Sequence, residues 1–259
     1  MPNLLAGKEP ENWPKPNLED LVALCTRMGL ERTWMADRDS AMIGMVASFG
    51  KRAGENVTLT KRDLWQDQGR VFVRFTVTKV AKPVRKRCSC GIVNKASWSY
   101  CRGCGASLAA AELIPSQKVN RIRVKSRIET YPMLPFILKW WQQVPDVPTY
   151  IGLEAQPIWA FPPARYQGFL SATSPPDWSR HLDRRGPGNI LSHYERKYGL
   201  AVHWWPHLFR HVLSVKFAEA GNDEFDLMDW FDWERYETAK RYTKLGGGRR
   251  IKRMGDSML

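Results

Sequence analysis

No run of apolar residues in this chain approaches the roughly 18 that a membrane-crossing helix needs. The opening stretch MPNLLAGKEPENWPKPN lacks the charged-then-apolar layout of a secretory leader. Both absences predict an intracellular protein. Acidic residues are scarce beside basic ones: 26 Asp and Glu stand against 40 Lys and Arg, a net charge of +14 with a pI near 9.7. That surplus predicts attraction to a polyanion through phosphate neutralisation and counterion release, with nucleic acid as the leading partner. Cysteine is sparse and uneven. Four of the five lie between positions 88 and 104, while Cys25 stands alone in an apolar helical pattern and reads as a core residue. In an intracellular chain such a cluster points to metal before disulfides. No internal repeat is visible. What is plentiful is apolar surface: 43% hydrophobic and 12% aromatic residues over 259 positions, enough for one large core or two modest ones and too much for a disordered chain.

Periodicity sets out the elements. Leu18 to Met28 and Arg38 to Phe49 read as helices, the second with Met42, Ile43, Met45, Val46 and Phe49 on a helical period and Gly50 as its stop. RVFVRFTVTKV from Arg70 to Val80 and VNRIRVKSRI from Val119 to Ile128 alternate apolar and polar residues and read as two strands of a small sheet, with the cysteine segment inserted between them. Pro132 to Trp141 is a helix, Val144 to Pro163 a Pro-rich loop, and Asn189 to Tyr198 a helix after a Gly-Pro-Gly breaker. Pro206 to Ala220, Phe225 to Phe231 and Glu234 to Tyr242 complete the helices, and GGGRRIKRMGDSML is a basic tail.

Three distant segments share a chemical logic. FGKRAGENVTL places Gly50, Arg52, Glu55 and Leu59 at a helix end. WPHLFRHVLSVKFAEAG puts His207 and Arg210 one helical turn apart, so both side chains reach the same point. Trp233 follows Arg210 by 23 positions and precedes Tyr242 by nine. Guanidinium forks match two phosphate oxygens better than a lysine point charge does, a histidine titrates near neutrality, and an indole N–H donates one hydrogen bond.

In this order and spacing the set resembles the tyrosine recombinase/integrase family. Its pattern is an arginine in a G-x-R-x-x-E-x-x-x-L box, a strand-end lysine, H-x-x-R, then His or Trp, then Tyr. The likeness runs from about Asn17 to Leu245. It implies a mixed α+β, mainly helical catalytic fold with a small antiparallel sheet, and a DNA recombinase or integrase working through a 3′-phosphotyrosine without metal or nucleotide in the chemistry. Tyr242 is then the nucleophile and Arg52 and Arg210 stabilise the phosphorane. His207 is the base toward the tyrosine, and Trp233 donates to a phosphate oxygen. Lys79, at the end of RFTVTK, protonates the leaving 5′-oxygen, with Lys82 as the alternative; Glu55 and His211 support the site. Double-stranded DNA and self-assembly into a tetrameric synapse are implied partners. Lys51 departs from the pattern, standing where the family is apolar. A usual member also carries a helical core-binding domain ahead of the catalytic one, and residues 1–16 leave no room for it.

Cys88-Ser-Cys90-Gly and Cys101-Arg-Gly-Cys104-Gly present two thiolate pairs, each followed by a glycine that lets the turn wrap a metal. Four thiolates suit tetrahedral structural zinc, and SWSYCRGCGASL resembles a zinc ribbon, although C-x-C replaces the usual C-x-x-C. The insertion suggests an archaeal mobile element or virus. Relatives with the same chemistry and other outcomes are a transposase, a telomere resolvase and a type IB topoisomerase; the rival of another class is a catalytically silent DNA-binding zinc protein.

Overall fold

The computed structural model of the protein describes residues 17–82, 84–115, 117–146, 158–163, 175–200 and 203–245. The lead, the basic tail and most of the Pro-rich loop lie outside them. The chain divides into two units, Met1–Phe75 with Val124–Leu259, and Thr76–Arg123.

Helices of the first unit are α1 (Leu18–Gly29), α2 (Trp34–Phe49), α3 (Ala53–Val57), α4 (Leu134–Gln143), α5 (Gly186–Tyr198), α6 (Pro206–Glu219), α7 (Glu224–Phe231) and α8 over residues 236–245. Local chemistry sets their starts. Asn17 Oδ1 accepts the Asp20 N–H at 2.6 Å and Thr33 Oγ1 accepts that of Ala36 at 3.2 Å. The Thr33 cap is why α2 begins four residues ahead of its apolar pattern. From Arg38 to Phe49 every residue of α2 is buried, the mark of a central helix; α1, α4, α5 and α6 pack around it. At Gly44 a Cβ would lie 3.0 Å from Ile137 Cγ1 and 3.2 Å from the Met133 carbonyl, so glycine is what lets α4 come this close. The buried Arg38 is matched by protein groups, donating to Asp39 Oδ1 at 2.8 Å and to the Pro162 carbonyl at 2.6 Å.

The strands among the described residues are β1 (Leu64–Asp67), β2 (Arg70–Lys82), β3 (Arg85–Arg87), β4 (Val93–Lys95), β5 (Glu112–Ile114) and β6 (Gln117–Ile128), forming sheets of order β1-β2-β6 and β4-β3-β5. β1 and β2 make a hairpin with Asp67 opposite Arg70, turning through Gln68 (φ 46°) and Gly69 (φ 69°). Two left-handed residues are what a tight hairpin turn requires. β1 escapes a sequence reading because only Leu64 of its four residues is buried. Val71, Val73 and Phe75 alternate into the core, as their pattern predicts.

The second unit centres on the β4-β3-β5 sheet and a small core of Cys88, Cys101 and Leu108, with Ile92 and Trp98 against it. Among the described residues no helix is long and apolar enough to cross a membrane.

Candidate active site and metal centre

The first functional segment begins where α2 stops. Gly50 has φ 61°, and a Cβ there would stand 2.8 Å from Phe231 Cε1 and 3.0 Å from Leu213 Cδ2, so both conformation and space demand glycine. The chain then turns into α3, with Arg52 at its N-cap. Glu55 accepts the Arg52 backbone N–H at 3.1 Å through Oε2 and the guanidinium Nη1 at 2.9 Å through Oε1. Glu55 is buried while the Arg52 side chain is 52% exposed. The guanidinium is thus held from behind and open in front.

Arg210 projects from α6 into the same region. It is buried; Nη1 donates to the Gly50 carbonyl at 2.9 Å and Nη2 to that of Phe231. Its guanidinium lies over the rings of Phe231 (5.1 Å) and Trp233 (5.5 Å). Burial, reinforced by the charge of Arg52, pulls its pKa down to about 10, so it stays cationic at neutral pH. His207, one turn earlier, is exposed. Partial desolvation and then the charges of Arg210 and Arg52 hold its pKa below the usual imidazole value, so it is mainly neutral at pH 7.

Tyr242 comes from α8. Its ring stacks on Trp233 at 4.9 Å and 16°, and Trp233 stacks in turn on Phe231 at 5.0 Å. The Tyr242 hydroxyl lies 3.3 Å from Nδ1 of His211, which is buried on α6. Burial raises the phenol pKa, against the pull of Arg210 and Arg241. Tyr236 instead packs on Phe225 at 6.1 Å. Arg52, Glu55, His207, Arg210, His211, Trp233 and Tyr242, spread over 190 positions of sequence, therefore meet in one place. Lys79 and Lys82 fall on β2 with side chains outside the described residues.

Three further residues hold this place together. The last turn of a helix leaves carbonyls without intrahelical partners and carries partial negative charge. In α7 three consecutive carbonyls each receive a cation: Asp229 from Lys125 Nζ at 2.8 Å, Trp230 from Lys51 Nζ at 2.8 Å, and Phe231 from Arg210. Lys51 also meets the carboxylate of Asp232, and Lys125 that of Asp229 at 2.8 Å. Asp232, which ends the helix, is a non-glycine residue at φ 53°. Burial, partly offset by Asp232, draws the Lys51 pKa down to about 8. Sequence reasoning registers Lys51 only as a departure from an apolar pattern; Lys125 and Asp232 carry no local signal.

In the second unit the four sulfurs of Cys88, Cys90, Cys101 and Cys104 lie within 4.8 Å of one another. Cys88 and Cys104 are 3.6 Å apart, as are Cys90 and Cys101. A tetrahedral zinc with bonds of about 2.3 Å separates its sulfurs by about 3.8 Å, so the set fits. Asn94 Nδ2 and the Gly103 N–H each donate to Cys101 Sγ at 3.5 Å, which favours the thiolate that a metal takes.

No protein-family model and no curated protein matches the chain. Solved structures similar in fold include two with a bound substrate or DNA. The XerH site-specific recombinase bound to palindromic difH substrate, in a post-cleavage complex, gives a TM-score of 0.52 at 10% identity over 95% of this chain. The chain spans about half of that protein's length, 53%. The Tn1549 transposon integrase in complex with a circular intermediate DNA gives 0.50 at 11% identity, over 94% of this chain and 67% of its own. The chain has the mixed, mainly helical fold of the tyrosine recombinases.

Proposed function

We propose that this chain, folded like the tyrosine recombinases, is a site-specific DNA recombinase or integrase that breaks and rejoins strands through Tyr242. The observation that carries the proposal is the setting of the Tyr242 hydroxyl. It lies against His211 Nδ1, on a ring stacked on Trp233, in the field of an Arg210 that is tied to the arginine box through the Gly50 carbonyl. A phenol brought to a basic nitrogen beside two guanidinium groups is equipped for attack on a phosphodiester.

In the proposed step the Tyr242 proton passes to a histidine, the phenolate oxygen bonds to phosphorus, and the phosphorus–O5′ bond breaks. A lysine, Lys79 or Lys82, protonates the departing 5′-oxygen. Arg52 and Arg210 bear the phosphorane charge, Trp233 donates its indole N–H, and Glu55 aims Arg52. The contact favours His211 as the first proton acceptor, leaving neutral His207, close to both arginines, as a donor or acceptor at the phosphate. The 3′-phosphotyrosine keeps the bond energy for rejoining, so no nucleotide enters. Zinc on Cys88, Cys90, Cys101 and Cys104 would supply structure to the inserted unit. Duplex DNA is the substrate, a tetrameric synapse the working assembly, and a mobile element or virus the setting such an enzyme fits.

A suicide duplex from the element's attachment site tests this. Wild type should form a covalent protein–DNA adduct. Tyr242→Phe should bind DNA and form none, and Tyr236→Phe should form it normally. Arg210→Lys should lose most activity, because a point charge cannot hold two oxygens in fork geometry. An adduct at the wild-type rate with Tyr242→Phe would falsify the assignment; no adduct from wild type would favour a silent DNA-binding protein.

A further inference from the structure

The charge of this chain is not spread evenly. Thr76–Arg123 holds ten of the 40 Lys and Arg residues and one of the 26 Asp and Glu residues, a net charge of +9 out of the chain's +14. The rest of the chain, with 30 basic and 25 acidic residues, is close to balanced. Solubility is served by interspersed charges of both signs, so a single-sign field on this one unit calls for another explanation.

The sheet register gives that field a face. In the pleat, Arg85 and Arg87 of β3 share a side with their partners Lys95 and Val93 of β4 and Ile114 and Glu112 of β5. The opposite side carries Lys86, Asn94 and Leu113; Asn94 is buried and bonded to Cys101 Sγ, so the β4 part of that side turns to the cysteine cluster, while Leu113 on β5 is exposed. Arg85 and Lys95 are exposed and directly opposite each other. Like charges in that register weaken a hairpin. Lys95 also lies over the Trp98 ring at 5.6 Å, and an anion placed across both cations would relieve their repulsion. Arg87 has an ion pair with Glu112 at 3.7 Å, both side chains more than half exposed, and Glu112 is the unit's one acidic residue. Exposed Arg102, its backbone N–H tied to Asn94 Oδ1 at 3.1 Å, adds a further cation next to β4.

We propose that the inserted unit is itself a duplex-DNA-binding element, in which Arg85, Lys95 and Arg102, with Arg87, grip consecutive backbone phosphates. The metal centre would then hold the short hairpin rigid while its outer face binds. The proposal rests on the proposed function only for the identity of the polyanion: a chain that works on duplex DNA presents it to this unit at high effective concentration. No base-reading role is assigned, since phosphate contacts position and do not specify.

The test uses the full-length, metal-loaded chain with Tyr242→Phe, so that covalent capture does not distort binding. Affinity for one fixed duplex is measured over a range of salt, with and without Arg85→Thr, Lys95→Thr and Arg102→Ser together. The slope of log affinity against log salt should fall by about 2 to 3, and affinity at physiological salt by more than about tenfold. Arg85→Lys, which keeps the charge, should leave the slope alone. An unchanged slope in a triple variant that keeps its metal overturns the proposal, and so does RNA of the same length displacing the duplex more readily than DNA does. If the triple variant loses its metal, Lys95→Thr alone replaces it, with an expected fall of about 1. A fall in slope in a protein whose wild type never forms an adduct would leave this inference standing and remove the recombinase reading. An adduct with no fall would do the reverse.

Discussion

Lys51 and Asp232 form a fully enclosed ion pair beside Arg52 and Arg210, and such pairs behave asymmetrically. Removing one partner strands the other in a low-dielectric place, whereas removing both can be neutral. Lys51→Met keeps the length of the side chain but takes away the cation that faces both Asp232 and the Trp230 carbonyl. It should therefore cost about 3–5 kcal/mol. Adding Asp232→Gly should recover most of that, because it removes the carboxylate and puts glycine at φ 53°. Urea melts of the two variants check this; equal stabilities would mean that the pair is not coupled. His207 gives a pH prediction. Its folded pKa lies below the unfolded value of about 6.5, so above that pH both states are neutral and nothing is contributed. As pH falls below about 6.5 the unfolded chain takes up a proton that the folded chain resists, and stability is lost. His207→Gln should flatten the decline in stability between about pH 7 and pH 5.5. An identical decline in both proteins would dismiss the histidine as its source. The effect should be modest, since the ring is exposed.

At the scale of elements, the end of α7 and the β4-β3-β5 sheet solve opposite problems. α7 ends among its neighbours, and three cations from distant segments satisfy its last carbonyls. That fixes the turn from which Trp233 and then α8 depart. The inserted sheet has three strands of three residues each over a core of Cys88, Cys101 and Leu108. So small a core does not offset the entropy of ordering its strands, and a metal on the four cysteines would supply the difference. Elemental analysis should find about one zinc per chain. Cys101→Ser should lose it, with faster hydrogen exchange at the amides of residues 85–114. A metal-free Cys101→Ser variant whose amides exchange as slowly as those of the wild type would sink the structural-metal reading.

Over the whole molecule, what could be read from sequence is what local physics writes there. Periodicity marks α1 and, from Arg38 on, α2, alternation marks β2, and the thiolate pairs mark a candidate metal site before any fold is known. The spacing of Arg52, His207, Arg210, Trp233 and Tyr242 marks a set of side chains that the fold brings together, and the excess of basic residues is the ground for proposing a polyanion. β1 was missed because one buried residue in four leaves no alternation to detect. The partners of α7 were missed for a different reason: Lys125 reaches Asp229 across 104 positions and Lys51 reaches Asp232 across 181, and no propensity acts over such distances. The sequence names His207 as the base toward Tyr242 and His211 as support; that the Tyr242 hydroxyl lies 3.3 Å from His211 Nδ1 is visible only in the fold. Both histidines lie on α6, and residue type cannot choose between them. Which of them meets the Tyr242 hydroxyl depends on the face that α6, packed on α2, turns toward it, and that is decided only in the tertiary structure.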